Sequence, residues 1–294
     1  MKRLNQVIFV VAFIIMAIFA GKTVFTDNNN SGHNLLSSHS TSKTNIKNGI
    51  QQVASGISAS LSSQGSTGKT NDSASKLASL NYQPGSSAVI AVNHNKSTLN
   101  SRDWKENKVI YSNIDDLNRT SHPNTAYLES RNMANDSLRV RQYVQPTGWH
   151  QKFSNGKAIL NRGHLIAYSL SKGIAYTGSY NPSLKSGDQN NPKNLFTQTA
   201  FSNQEIQTIY ESQVRNALKQ GKKVIYQAQA IFNGNDLMAK GVELQAISTD
   251  GSLNFNVFIF NVQPGFQFNY ADGTSHMDRS ITVPTPAGAP HFYD

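Results

Sequence analysis

Residues 161–170 read Asn161-Arg162-Gly163-His164 followed by LIAYSL, and residues 195–212 read LFTQTAFSNQEIQTIYES. Between them runs a loop rich in Gly, Ser and Asn that ends in DQNNPKN at Asn194. Lys157–Leu160 reads as a strand entering the motif, which puts His164 at or beside a strand end, on an irregular backbone that Gly163 would permit. From Phe201 to Lys219, the residues Ile206, Ile209, Tyr210, Val214 and Leu218 recur at helical spacing, and Gly221 stands just past the end. The other face of that helix carries Asn203, Gln207 and Glu211 as an i, i+4, i+8 stripe.

Downstream, Lys223–Phe232, Val242–Ser248 and Asn254–Phe260 read as antiparallel strands, with Asp250-Gly251 as a hairpin turn. Upstream, Ser87–Asn93 and Val109–Ser112 are short strand candidates. Together these predict an α+β fold, an antiparallel β-sheet core flanked by helices, occupying residues 82–294. The C-terminal tail, rich in Pro and Gly, carries little signal.

The rest of the chain concerns delivery. Lys2 and Arg3 precede an unbroken apolar run from Val7 to Ala20, short for a full membrane span but right for the core of a secretion signal. Residues 1–21 are therefore a signal peptide or an N-terminal membrane anchor, with the C-terminal side exported. Residues 22–81 are so poor in apolar side chains that they read as a disordered Ser-, Asn- and Thr-rich spacer. Within it, SQGSTGKT (63–70) mimics a phosphate-binding loop. Its first glycine is replaced by Ser63, no strand precedes it and no apolar helix is expected after it, so it reads as coincidence.

The chain has no cysteine, which excludes disulfides and thiolate chemistry. Its net charge of +10 is shared about equally between the first 81 residues and the remainder, and favours an anionic partner. Arg119, Arg131, Arg139 and Arg141, interleaved with Tyr127, Tyr143 and Trp149, suit phosphates and stacked bases, or else are surface arginines over half-buried aromatics. Asp115 and Asp116 could suggest a metal pair. Adjacent residues on a strand point apart, so a solvated turn or helix start is the better reading.

Phosphodiester hydrolysis needs an activated water and a positive charge on the crowded phosphate oxygens. His164 can supply a neutral imidazole for the first. Asn203 can give an amide oxygen to Mg²⁺ without diminishing its charge. Glu211 would act on the ion's water shell or pair with Arg215, and Arg162 could clamp a phosphate oxygen. Singly, each residue has an ordinary structural reading: a satisfied histidine, a surface amide, an ion pair.

Jointly, Asn161-Arg162-Gly163-His164, Asn194, Asn203 and Glu211 resemble the motif set of the DNA/RNA non-specific endonucleases over roughly residues 105–265. The resemblance is strongest to membrane-anchored DNA-entry nucleases and related secreted nucleases of Gram-positive bacteria. It implies a ββα-metal (His-Me finger) site with His164 as general base and Asn203 as direct ligand of Mg²⁺, for which Mn²⁺ can substitute. Asn194 would support the histidine or the scissile phosphate. The substrates of that family are single- and double-stranded DNA, and often RNA, cut to leave 5′-phosphates. The family's commonest motif begins with Asp where this chain has Asn161, so any electrostatic role of that carboxylate is missing. For substrate grip the candidates are Arg131, Arg139 and Arg141, with Arg131 favoured by its distance from His164. A non-catalytic surface protein that binds extracellular DNA or acidic polymer is the competing expectation; it would retard DNA without shortening it. A serine hydrolase lacks its Gly-x-Ser-x-Gly elbow, and a zinc enzyme lacks paired histidines at helical spacing.

Overall fold

The computed structural model describes residues 69–290. The leader and residues 22–68 of the expected spacer lie outside the described residues. The folded part begins earlier than Tyr82, because Lys69–Ala78 is a helix (α1) whose Leu77 is fully buried and whose Ala78 is nearly so. This helix begins at Lys69, within the stretch expected to be spacer, but it is polar in sequence, so no apolar helix follows the SQGSTGKT stretch. Two well-placed apolar residues suffice to dock it, which composition averaged over sixty residues conceals.

The body of the protein is a six-stranded antiparallel sheet. Its strands are β1 (Val89–Ala91), β2 (Lys108–Ile110), β3 (Asn124–Leu128), β8 (Val224–Ile231), β9 (Gly241–Ser248) and β10 (Asn254–Phe260), in the order β1-β10-β9-β8-β3-β2. The three long strands form a meander of β-branched and aromatic residues, which pack well on a pleated surface. β9 and β10 turn at Asp250-Gly251 as expected, with Gly251 in the left-handed region at φ 74°. β3 was not foreseen. It lies between β8 and β2, inside the arginine-rich stretch, and its inward residues are Asn124, Ala126 and Leu128. A hairpin in the C-terminal tail, β11 (Phe266–Asn269) with β12 (Thr274–Met277), was also unforeseen.

Helix is scarce. Beside α1 and single-turn segments, one long helical element crosses the sheet: a π-helical stretch, Ser202–Gln207, that runs into α2 (Thr208–Lys219). The fold is therefore an antiparallel sheet with one long helix, more β than the expectation of a sheet flanked by helices. Val214, Ala217 and Leu218 of α2 are buried against the sheet, and Tyr210 meets Phe255 at 5.3 Å between ring centroids.

Separate from the main sheet, besides the β11–β12 hairpin, are two small pairs, β4 (Phe153–Ser154) with β5 (Lys157–Ala158), and β6 (Leu160–His164) with β7 (Leu195–Thr199). Asn261, just beyond β10 and 1% exposed, ties the second pair to the meander. Its Oδ1 accepts from the Thr199 N–H at 2.7 Å, and its Nδ2 donates to the carbonyls of Thr197 and Ala239 at 3.0 Å each.

Candidate active site

Strand β6, strand β7 and the helix that follows hold the motif residues. The two strands pair from Leu160↔Thr199 to His164↔Leu195. Strand alternation sends Asn161 and Gly163 to one side of β6 and Arg162 and His164 to the other. Gly163 is in a regular paired strand and outside the left-handed region, so the irregular backbone expected there is absent. It is glycine for room. A Cβ at this position would stand 2.2 Å from Gln198 Oε1 and 2.7 Å from Gln198 Cβ.

On the other face, the His164 ring lies beside the backbone carbonyls of Asp188 and Gln189. Burial holds its pKa below the usual imidazole range, with the charge of Arg139 acting in the same direction; Asp188 and the carbonyls oppose this without prevailing. Its Nε2 is closed off from solvent and has no hydrogen-bond partner in the protein. A buried polar atom left without a partner costs stability, on the order of 1–3 kcal/mol, and calls for an explanation, of which a catalytic role is one; among the described residues Tyr111, Tyr226, Asn256 and Ser275 also carry such an atom.

Asn203 sits in the π-helical stretch, a distortion that recurs at functional sites. The Thr208 hydroxyl donates to the Gln204 carbonyl at 2.7 Å, satisfying a group within the widened turn. The expected stripe of Asn203, Gln207 and Glu211 is accordingly broken. Gln207 Nε2 still reaches Glu211 Oε1 at 2.8 Å, but between Asn203 and Gln207 stands Gln198 of β7. Asn203 Nδ2 donates to Gln198 Oε1 at 2.9 Å, and Asn203 Oδ1 accepts from Asn161 Nδ2 at 3.1 Å. The imidazole of His164 and the amide of Asn203 make no direct hydrogen bond. Asn203 bonds on the Asn161 side of β6, the side away from the imidazole, and is linked to His164 only at its backbone carbonyl, by way of Gln198 and Gln207.

Glu211 is buried, which raises its pKa; the Gln207 bond and the charges of Arg215 and Arg139 counteract this only in part. Its other oxygen lies 3.7 Å from Arg215, the pairing that was the alternative to a place in a water shell. Asn194 is fully buried and its hydrogen-bonding capacity is full. It accepts from the Ile166 N–H and from Asn124, and donates to the Ile166 carbonyl and Asp188 Oδ2. That geometry fits support of the segment after His164 and leaves nothing for a phosphate.

The arginines divide. Arg139 lies over the Tyr168 ring at 4.4 Å, and its charge is felt at both His164 and Glu211. Arg131, favoured by sequence distance, is paired with Glu129 and stacked on Tyr180 at 5.1 Å, and Arg139 is likewise paired, with Asp136 at 2.9 Å. Arg162 stacks on Trp149 at 4.5 Å and donates to the Val144 carbonyl, with Arg141 close enough to lower its pKa further after burial has done so. Trp149 is thus covered, whereas Tyr143 is 75% exposed on the segment that carries Arg139 and Arg141. Asp115 turns inward to accept from Arg119 Nε at 2.8 Å and Ser121 Oγ at 2.7 Å, while Asp116 faces solvent, so the two carboxylates form no pair.

Two residues of the candidate site, Gln198 and Asp188, escaped the sequence reading, and Gln207 was read only as part of a stripe. Gln198 and Gln207 are fully buried amides that connect the motif, and Asp188 is near enough for its charge to act on the imidazole while accepting from Asn194 and from the Asn191 N–H. Gln207 had a signal in the polar stripe. Asp188 stood in the loop's polar run, and Gln198 had none.

A family model described as DNA/RNA non-specific endonuclease matches residues 96–250. The crystal structure of NucA from Streptococcus agalactiae with magnesium ion bound is similar at 30% identity, covering 72% of this chain and 98% of that one, with a TM-score of 0.58. The same protein with no metal bound is similar over the same spans at 30% identity and a TM-score of 0.56.

Proposed function

The chain belongs to the DNA/RNA non-specific endonuclease family, and on that premise we propose that it is an exported enzyme hydrolysing phosphodiester bonds of DNA, and of RNA as well, with little regard to sequence. The observation that carries the mechanism is the buried, unpartnered Nε2 of His164 at the end of a strand pair followed by a helix. Burial keeps the imidazole neutral at physiological pH, the state in which it accepts a proton from the attacking water. Arg139, beside both His164 and Glu211, holds the phosphate in reach.

The donor set fits a hard divalent cation, Mg²⁺ with Mn²⁺ as substitute. Asn203 offers an amide oxygen, Glu211 a buried carboxylate for the ion's water shell, and among the described residues no group of three or more His, Asp or Glu could build a closed cage. Such an ion, when bound, polarises the phosphate and stabilises the departing 3′ oxygen, leaving a 5′-phosphate on the product. The magnesium-bound NucA structure supports this choice. The apolar leader supports export, the product being either secreted or anchored at the cell surface.

The test is degradation of supercoiled plasmid by the purified protein with Mg²⁺, with EDTA, and with His164→Ala. We expect cleavage only in the first. Cleavage that persists in EDTA, or retardation of DNA without shortening, overturns the reading.

A further inference from the structure

A file of side-chain amides crosses the site, and its direction is set at one end. Gln207 Nε2 donates to the backbone carbonyl of His164 at 2.9 Å. A carbonyl has no proton to give, so this terminal atom of Gln207 is its nitrogen and the other its oxygen. That oxygen must accept, and does so from Gln198 Nε2 at 2.9 Å. Gln198 Oε1 must then accept in turn, from Asn203 Nδ2 at 2.9 Å. What remains to Asn203 is Oδ1, and it faces Asn161 Nδ2 at 3.1 Å. Gln198 and Gln207 are fully buried, so reversing either of them sets oxygen against oxygen away from water, at a cost of about 1–3 kcal/mol; Asn161 and Asn203, half-buried, complete the file.

We infer that Asn161 is the positioning residue of the cation ligand: its amide closes the file at the one place that needs a donor, and holds Asn203 Oδ1 by one lone pair while the second stays available. This rests on the reading of Asn203 as the ligand. With no cation bound, only a donor serves at position 161. A carboxylate there would put two oxygens about as far apart as neighbouring ligands of an octahedral Mg²⁺, roughly 3 Å for bonds of ~2.1 Å at a right angle. Asn161→Asp therefore exchanges an internally held ligand for a two-oxygen, negatively charged cation site. Asn161→Ala removes the donor and adds nothing.

The experiment compares the full-length protein with Asn161→Asp and Asn161→Ala. Melting is followed in EDTA and along a Mn²⁺ titration, and free Mn²⁺ is measured by electron paramagnetic resonance. We expect both variants to melt below the wild-type protein in EDTA. Added Mn²⁺ should raise the melting temperature of the Asp variant more than that of the wild type, with binding at least ten-fold tighter, and should not rescue the Ala variant. Equal Mn²⁺ affinity of the Asp variant and wild type, an Asp variant that melts like wild type in EDTA, or one that stays unfolded at every Mn²⁺ concentration overturns the inference. These outcomes are separable from failure of the cation reading itself, which shows as wild-type cleavage surviving EDTA.

Discussion

Gln198 lies over Gly163 so closely that no side chain fits between them: an added Cβ would meet Gln198 Oε1 at 2.2 Å. The glycine and the buried amide are thirty-five positions apart in the chain and are brought together by the pairing of β6 with β7. Gly163→Ala must therefore displace the amide file or part the strands. Overpacking of a filled interior costs about 1–3 kcal/mol, so we expect a lower denaturation midpoint in urea and cleavage impaired beyond what the lost stability explains. An alanine variant as stable and active as wild type would refute the steric account.

The pH dependence of His164 follows from its surroundings. Its folded pKa lies below the ordinary value near 6.5, so the neutral base survives into mildly acid solution. The acid limb of kcat/KM should fall below that ordinary value, and His164→Ala should lower kcat by about 10²–10⁴-fold. For stability the sign is that of a group kept neutral by burial. Its contribution is complete above the unfolded pKa and is lost as pH falls through the folded one. Melting temperatures at descending pH should show a loss below about 6.5 that His164→Ala lacks.

Tyr143 is the aromatic left open beside the arginines, 75% exposed. Stacking of a base on such a ring is worth about 1–3 kcal/mol. Tyr143→Ala should weaken binding of a single-stranded oligonucleotide by about ten-fold or more, and Tyr143→Phe should keep it, as fluorescence anisotropy would report. Replacing Arg141, which lies on the same segment, should weaken all sequences alike and flatten the salt dependence by about one phosphate contact.

A chain starting at Tyr82 lacks α1 and with it the fully buried Leu77. Burial of a leucine side chain contributes about 1.5–3 kcal/mol. We therefore expect that shortened protein to melt below one starting before Lys69. Equal melting temperatures would mean that the helix is dispensable.

The meander was legible because Val, Ile, Phe and Tyr are dense in its strands and a single Asp-Gly marks its turn. The long helix was legible from Ile206, Tyr210, Val214 and Leu218. β3 escaped because its inward positions include a polar and a small residue. Asn124 is buried for its hydrogen bonds, to the Lys193 carbonyl and to Asn194, rather than for hydrophobicity. The site was half legible for a related reason. His164, Asn203 and Glu211 stand out by type and spacing, whereas Gln198, Gln207 and Asp188 matter through partners that only the strand pairing and the returning loop bring near.

The staple made by Asn261 has a consequence for motion. Thr199 N–H, at the end of the strand opposite the motif, is bonded to a side chain whose own anchorage is the edge of the long meander. The pair that bears the imidazole is therefore not a separate opening unit. In deuterium oxide, the Thr199 amide proton should exchange as slowly as those in the middle of β9, released only when the whole domain unravels.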